Sequence, residues 1–490
     1  MTEKKTRRDF LKTGALGLAG LTVVPNIVMG KSTGFSSRIS PSDKLNIAAV
    51  GIGGMGRSNI NNMATENFVA MCDVDWNYAA KTFNDYPKAK RYKDYRKMFD
   101  EMDKSIDAVT IATADHTHCL IASEAITRGK HVYVQKPLTH TVYESRLLAA
   151  LAKKYDVATQ MGNQGASKHG TNQTMEWLWN NEIGEVTRVD ASTDRPIWPQ
   201  GLGKPEKQDL IPNTLDWDLF IGPAPMRAYN SIYHPWNWRG WWDFGTGALG
   251  DMACHILHVA YEGLALKYPD RVQGTSTVLM SDSCPSAEKV MYHFPARKGS
   301  KYKLKLPAVD ITWYDGGLLP PRPAGADGKN LNNCTIFYGT KDTLICGSHG
   351  QDPWLVSGRV PNAPQRRRVI PVSHEMDWVR ACKEPAASRV KTASDFSLSA
   401  PFNEMVVMGV LAVRLQGLEK ELNWDGENMK FTNIGPDEKL KFRLKNDFSI
   451  INGDPTWHNK DTEPVNAQEF ADKLVKHQYR EGWTLPDMPM

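Results

Sequence analysis

Two short stretches put acid–base side chains just past strand-like runs. Lys136 sits in Gln135-Lys136-Pro137, directly after His131–Val134, and Thr113-Ala114-Asp115-His116-Thr117-His118 follows Ala108–Ala112. The carboxyl ends of strands are where open α/β sheets hold their ligands. Farther along, Asp251 and His255 stand four residues apart behind the glycine-rich lead Gly245-Thr246-Gly247-Ala248-Leu249-Gly250, a spacing that sets both on one face of a helix. Such a set suits oxidation of a secondary alcohol. The His255 imidazole titrates near neutrality and can take the hydroxyl proton. Lys136 can hydrogen-bond the same oxygen and stabilise the charge that builds there, while Asp251 orients the substrate or supports the His–Lys pair. Alone, each fragment is unspecific, since Lys-Pro after a strand is commonly a turn and an Asp–His pair commonly a surface pair.

A second pattern names the partner of that chemistry. Gly51-Ile52-Gly53-Gly54-Met55-Gly56 follows the run Leu45–Val50 and opens a helix. In a G-x-G-x-x-G turn the first glycine permits the bend, the second lets backbone approach a pyrophosphate, and the third lets helix pack on strand; the helix N-terminus offers N–H groups to the anion. Asp73, twenty residues after Gly53, ends the next strand where an acid accepts hydrogen bonds from an adenine ribose. An acid there repels a 2'-phosphate, so NAD is expected over NADP, although Arg57 beside the turn could pair with either. Asp115, His116, His118, Gln135, Lys136, Asn163 and Gln164 complete the expected cofactor-contacting set. No His/Cys/Asp cluster has metal-ligand spacing, and a metal-free site is expected.

Substrate recognition is expected in two loops before the Asp251 helix. Six of the fifteen tryptophans (Trp198, Trp217, Trp236, Trp238, Trp241, Trp242) fall between residues 198 and 242, in the stretch leading to that helix. Indole faces stack on the C–H faces of sugar rings, and Arg, Asn and His read hydroxyls. Arg195, Trp198, Trp236, Asn237, Trp238, Arg239 and Trp242, with Lys136, Asp251 and His255, form the expected substrate set.

The elements that must position these residues follow from periodicity. Leu45–Val50, Phe68–Cys72, Ala108–Ala112, His131–Val134 and Val157–Met161 are strand-like, separated by helical stretches such as Tyr143–Lys154. That alternation predicts a parallel, doubly wound sheet over residues 44–161. After Asn163 come long Pro, Gly and Trp-rich loops and strand-like runs at Arg188–Ala191, Val278–Met280 and Thr335–Tyr338, predicting a second domain over 162–424 with a more antiparallel sheet. Ser397–Leu418 reads as a long helix returning to the first domain, and residues 425–490 as an irregular tail.

Taken in order, the glycine turn, the D-H-T-H segment, x-K-P and D-x-x-x-H resemble the Gfo/Idh/MocA oxidoreductase family from about Leu45 to Gly417. The resemblance implies an N-terminal Rossmann domain, a C-terminal α/β domain with a large mostly antiparallel sheet, a nicotinamide cofactor and sugars, cyclitols or glycosides as substrates. It also implies a homo-oligomer. The family's usual E-K-P is Gln135-Lys136-Pro137 here, which changes the electrostatic setting of Lys136.

Residues 1–30 have the layout of an export signal: Arg7 and Arg8 precede Phe10-Leu11-Lys12, then an apolar run from about Gly14 to Val24. The paired arginines resemble the twin-arginine signal, which implies export of the folded chain by the twin-arginine translocation machinery and a periplasmic location. The run is shorter than the roughly 20 residues that span a bilayer, and no integral membrane segment is expected after it. The formal charge is +5, three of which come from this segment, and basic residues elsewhere are interspersed with acids, so nucleic acid is not an expected partner. Seven cysteines without a C-x-x-C pair suggest buried thiols.

An exported enzyme must fold around its NAD and recycle it. The first expectation is oxidation at C3 of a glucoside-like substrate to a 3-keto sugar. The second is an NAD-dependent glycosidase that oxidises transiently, eliminates the aglycone and returns the hydride; a sugar–sugar oxidoreductase is a further scheme. A non-catalytic sugar- or NAD-binding protein is the contrasting class, against which Lys136, Asp251 and His255 stand together.

Overall fold

The computed structural model describes residues 43–298, 302 and 304–489. The export-type segment, residues 1–30, lies outside the described residues. Six strands build a parallel sheet: β1 (Asn46–Val50), β2 (Asn67–Cys72), β3 (Lys90–Tyr92), β4 (Ala108–Ile111), β5 (His131–Val134) and β6 (Thr159–Met161), ordered β3-β2-β1-β4-β5-β6. The order runs outward in both directions from β1 and β4, so the loops after these two strands part and leave a crevice at their carboxyl ends. Ala48, Val50, Val109, Ile111, Val132 and Val134 face one apolar core; Ile47, Ala49, Met71, Ala108 and Tyr133 face another. Cover on both faces explains why the strands read as continuous apolar runs. The edge strand β3 reads Lys-Arg-Tyr with two exposed charges, so no apolar pattern announces it.

The connecting helices are α1 (Gly54–Asn62), α2 (Ala80–Asp85), α3 (Tyr95–Met102), α4 (His118–Thr127) and α5 (Val142–Tyr155). At the start of α5, Thr141 and Glu144 each bond the other's backbone N–H in a capping box. This fixes the chain that leaves Lys136.

The second layer follows α6 (His169–Trp179). Strands β7 (Val186–Ser192), β8 (Arg271–Ser276), β9 (Glu288–Phe294), β10 (Val309–Tyr314), β11 (Cys334–Gly339), β12 (Thr343–Gly347), β13 (Trp354–Leu355), β14 (Leu422–Asp425) and β15 (Lys430–Phe431) form a nine-stranded sheet ordered β13-β12-β11-β7-β10-β9-β8-β14-β15. Only β7 and β10 pair in parallel. Val290, Tyr292, Phe294, Val309, Ile311 and Trp313 point to the core while their neighbours Met291 and Asp310 are exposed, the alternation of a sheet with one covered face. Helices α7 (Trp217–Ile221), α8 (Gly247–Ile256) and α9 (His258–Gly263) precede β8. Val278–Met280, expected as a strand, is a bend with one bridge from Met280 to Arg443.

Two later helices tie the layers together. On α10 (His374–Lys383), Trp378, Val379 and Ala381 pack against Ile47 and Ala49, so the first sheet's second face is covered by a helix from far along the chain. Helix α11 (Phe396–Arg414) packs on both α5 and β8. It is long and apolar enough, by composition, to cross a membrane, which corrects the expectation that no later segment approaches that character; 83% of its most apolar window is buried inside the protein. A helix wedged between two layers is apolar on all sides for that reason.

The expectation of an irregular tail is overturned. Beyond β15, β16 (Lys439–Leu440), β17 (Arg443–Lys445), β18 (Phe448–Ile451), β19 (Asp454–Trp457), β20 (Lys460–Asp461) and β21 (Val465–Asn466) form three nested two-stranded ladders. Helix α12 (Ala467–Val475) then buries Ala467, Ala471, Leu474 and Val475. Strands this short carry no readable period, and most of their residues face solvent.

Candidate active site

A cavity of about 550 Å³ runs along the carboxyl ends of the parallel sheet and under the loops of the second domain. It starts at the glycine turn. Gly51 has φ +75°, in the left-handed region, and a Cβ on Gly56 would lie 1.8 Å from the Gly51 carbonyl oxygen. Only glycine permits that closeness of α1 to β1. Gly51, Gly53, Gly54, Met55 and Asp73 line the cavity. The Asp73 carboxylate accepts from the Ile52 N–H (2.9 Å) and the Asp75 N–H (3.0 Å), one bond per oxygen. Each oxygen keeps acceptor capacity for a ribose hydroxyl. The Tyr78 ring lies on the turn, 2.2 Å from where a Gly53 Cβ would be, and forms a cavity wall that the sequence did not announce. Arg57 does not line the cavity; its guanidinium is turned to Asp85 at 2.6 Å, which removes the expected phosphate partner.

The proton-handling residues converge in the same cavity. Lys136 Nζ donates to Asp251 Oδ1 (2.7 Å) and to the Asp251 carbonyl oxygen (3.0 Å). Arg239 Nε donates to the same Oδ1 at 3.1 Å. Burial alone would raise the Asp251 carboxyl, but Lys136 and Arg239 outweigh it and hold the group well below the usual carboxylate range. One turn on, His255 is buried, and burial followed by the Lys136 charge pushes its imidazole well below its ordinary value, leaving a neutral ring. Its Nδ1 is buried without a hydrogen-bond partner, so Nε2 is the ring atom open to the cavity.

Several expected contacts hold the site rather than line it. His118 Nδ1 and Nε2 face the carbonyl oxygens of Pro137 (2.8 Å) and Thr113 (3.2 Å), bracing the Lys136 turn against the β4 loop. Asp115 accepts from Thr246 Oγ1 (2.8 Å) at the start of α8, and burial pushes its carboxyl up to about 7. Asn163 Nδ2 meets His258 Nδ1 at 3.3 Å behind the cavity. These three are corrected from cofactor contacts to supports, because none of them lines the cavity and each hydrogen-bonds a buried neighbour. His116 does line the cavity, yet both its nitrogens face the carbonyl oxygens of Phe220 (3.0 Å) and Phe244 (3.3 Å), and burial lowers it to about 4. Gln135 and Gln164 line the cavity, with Gln135 held by Asn59 at 2.9 Å.

The tryptophans divide. Trp198, Trp236 and Trp238 line the cavity with Arg195. The Arg239 guanidinium lies 4.1 Å from the Trp236 ring and 4.2 Å from the Trp238 ring, within cation–π range of both, while its Nε reaches Asp251. One side chain thus joins the aromatic wall to the acid–base cluster. Trp217 and Trp241 belong to a core with Tyr233 and Phe244, and the buried Trp238 packs in that core as well as lining the cavity. Trp242 is buried, donates to the Met280 carbonyl at 3.3 Å and does not line the cavity, nor does Asn237; both are corrected as substrate contacts.

His349 was not expected. It follows β12 in Ser348-His349-Gly350 with φ +63°, its ring stacked 4.2 Å from that of His255 at 25°. Ser348 Oγ engages Nδ1 at 2.8 Å, and burial lowers the imidazole to about 4. A lone His-Gly in a turn carries no sequence signal of this placement.

A parallel sheet with a glycine turn, a terminal acid and Lys136 after β5, meeting Asp251 and His255 on α8 of a second α/β domain, defines a two-domain oxidoreductase of NAD-binding Rossmann type. Comparison with known proteins agrees. Residues 45–163 match the Gfo/Idh/MocA oxidoreductase family's NAD-binding Rossmann fold, and residues 173–296 match its C-terminal α/β domain. The chain belongs to the Gfo/Idh/MocA family. It is 25% identical over 254 residues to the oxidoreductase YdgJ of Escherichia coli, covering 50% of this chain and 67% of that protein. It is 28% identical over 151 residues to inositol 2-dehydrogenase of Salmonella typhimurium, covering 30% of this chain and 44% of that enzyme. Among solved structures, the WlbA dehydrogenase of Bordetella pertussis, determined with NADH and UDP-GlcNAcA, superposes with a TM-score of 0.53 at 14% identity over 78% of this chain and 99% of that one.

Proposed function

We propose that the protein oxidises a secondary hydroxyl of a sugar or glycoside, with C3 of a glucoside-like ring as the preferred position and a 3-keto sugar as product. The observation that carries this is the single cavity in which Lys136, Asp251 and His255 meet the glycine turn at one end and Trp236, Trp238 and Arg239 at the side. NAD, when bound, supplies the hydride acceptor. Asp73 suits an unphosphorylated ribose, and with Arg57 committed to Asp85 no cation on α1 favours a 2'-phosphate, so NAD is preferred over NADP. The inositol-oxidising relative and the sugar nucleotide in the WlbA structure support a polyhydroxylated substrate.

Each residue then has a task. Trp236 and Trp238 offer faces to the C–H side of the ring, and Arg195 its hydroxyls. The Lys136 ammonium donates to the oxygen that loses its proton, stabilising the negative charge as it forms. Neutral His255 accepts that proton at Nε2. Asp251, ionised, holds Lys136 and Arg239 in place.

A second reading, transient oxidation followed by glycoside elimination, has one specific support. His349 stacked on His255 is a second neutral imidazole in the cavity, available to take a proton from the carbon beside the new carbonyl. Incubation with aryl glucosides separates the two: a keto-glycoside supports the dehydrogenase, free aglycone without net redox change the glycosidase, and neither product with NAD bound contradicts both.

Residues 1–30 support export through the twin-arginine machinery to the periplasm, which fits a cofactor carried inside a folded chain. Replacing Arg7 and Arg8 by Lys should keep the protein in the cytoplasmic fraction. The exposed face of the large sheet supports a homo-oligomer; sedimentation giving a monomer would contradict it.

A further inference from the structure

One wall of the cavity belongs to neither the glycine turn nor the acid–base cluster. Where β2 and β3 end, the cavity is bounded by Lys93, Asp94, Tyr95 and Ile121 and, from beyond α12, by Trp483. The indole is 8% exposed, with its ring centre 6.5 Å from that of Tyr95. The Arg96 guanidinium lies 4.3 Å over its face and is itself held by Asp94 through Nε (3.0 Å) and Nη2 (2.8 Å).

The segment that delivers Trp483 is anchored on both domains. The Tyr479 hydroxyl donates to Glu144 on α5. Arg480 donates to the Gly222 carbonyl (3.0 Å) and to Asp218 (2.6 Å), and its backbone N–H to the Pro223 carbonyl (3.0 Å), all at α7 of the second domain. Trp483 N–H closes the turn on the Arg480 carbonyl at 3.1 Å. Between these anchors Glu481 and Gly482 are exposed, and the segment pairs with no strand. It is a bridge made of a few hydrogen bonds and one buried indole.

In a doubly wound sheet with an acid after β2, the adenosine half of a dinucleotide lies toward the ends of β2 and β3. We propose that Trp483 and Tyr95 form the adenine wall of the NAD site, and that residues 479–483 strap the dinucleotide into the protein. The inference rests on the NAD reading and adds a residue group that holds the cofactor against loss. An aromatic wall serves adenine because every base presents a π face to it.

The test compares two probes on the full chain: NADH, and reduced nicotinamide mononucleotide, which lacks the adenosine half. Trp483→Ala should weaken NADH binding by about tenfold or more, the scale of one base–aromatic contact, and speed its dissociation, while affinity for the mononucleotide stays unchanged. Trp483→Phe should restore most of the NADH affinity, and Trp457→Ala, in the exposed β18–β19 ladder, should change neither. Equal weakening of both probes would show that Trp483 supports the fold rather than adenine and would overturn the inference, as would unchanged NADH affinity. If the wild-type protein bound neither probe, the dinucleotide site itself would fall and this inference with it.

Discussion

The strand ends of the first domain and the tryptophan-rich loops of the second face each other across one cavity, and they are built on opposite principles. At the strand ends, function is written in consecutive residues: Gly51 to Gly56, Asp73 and Lys136 each sit where a strand stops, so their placement follows once the strands are known. In the second domain, six tryptophans lie within a short stretch, yet Trp217 and Trp241 fill a core with Tyr233 and Phe244, Trp236 faces the cavity, and Trp238 does both. Local sequence cannot sort them, because the sorting is done by what packs behind each ring. The Lys136–Asp251 ion pair and the Asp115–Thr246 hydrogen bond join the two regions.

The contrast is open to attack by substitution. The largest effect is expected at the convergence point: Lys136→Ala or His255→Ala should lower kcat by at least about 100-fold, as for loss of a proton-transfer group, with NAD affinity retained by titration. Near wild-type turnover in both would remove the acid–base assignment. Next comes the division among tryptophans. Trp236→Ala, at an exposed ring, should raise KM by about tenfold, the loss of one ring-stacking contact, and leave the melting temperature almost unchanged. Trp241→Ala should do the reverse, costing about 3 kcal/mol of stability with KM intact. A KM effect at Trp241 would show that the core and the platform are one unit.

The buried neutral His255 gives a pH prediction. Because its folded value lies well below the ordinary one, kcat/KM for oxidation should hold its plateau as the pH falls through the normal histidine range, and an acid limb centred at that range would contradict it. The smallest effect concerns the link between regions. Asp115 has a folded value of about 7 against 3.8 for the free group, so the folded chain keeps a proton that the unfolded chain releases between these values. Stability from this group is therefore full at low pH and lost as pH rises through about 7. Asp115→Asn removes that loss, so its melting temperature relative to wild type should climb between about pH 4 and pH 7 and level off above; a flat difference across that range would mean that burial does not raise the Asp115 carboxyl.

Much of the first domain was legible because a two-sided sheet writes itself as apolar runs and its ligand turn as glycines. The charged edge strand β3 was not, having no apolar side to show. In the site, Lys136, Asp251 and His255 were legible as local patterns. His118, Asp115 and Asn163 were legible as polar residues after strands, but buried carbonyl, hydroxyl and imidazole partners decide that they brace rather than bind. His349 and Trp483 were invisible for a common reason: each reaches the cavity from a distant turn whose own sequence has no period and no motif. Trp378, covering the back of the first sheet from α10, shows the same limit in the core.

The central claim is that one cavity joins a nicotinamide cofactor to the secondary hydroxyl of a sugar through Lys136 and His255. The most direct measurement supplies an aryl glucoside carrying deuterium at C3, denatures the protein after a single turnover and examines the released nicotinamide by mass spectrometry. The account predicts deuterium on the nicotinamide ring in the wild type and none in Lys136→Ala. Release of NAD without deuterium, alongside consumption of the glucoside, would contradict it.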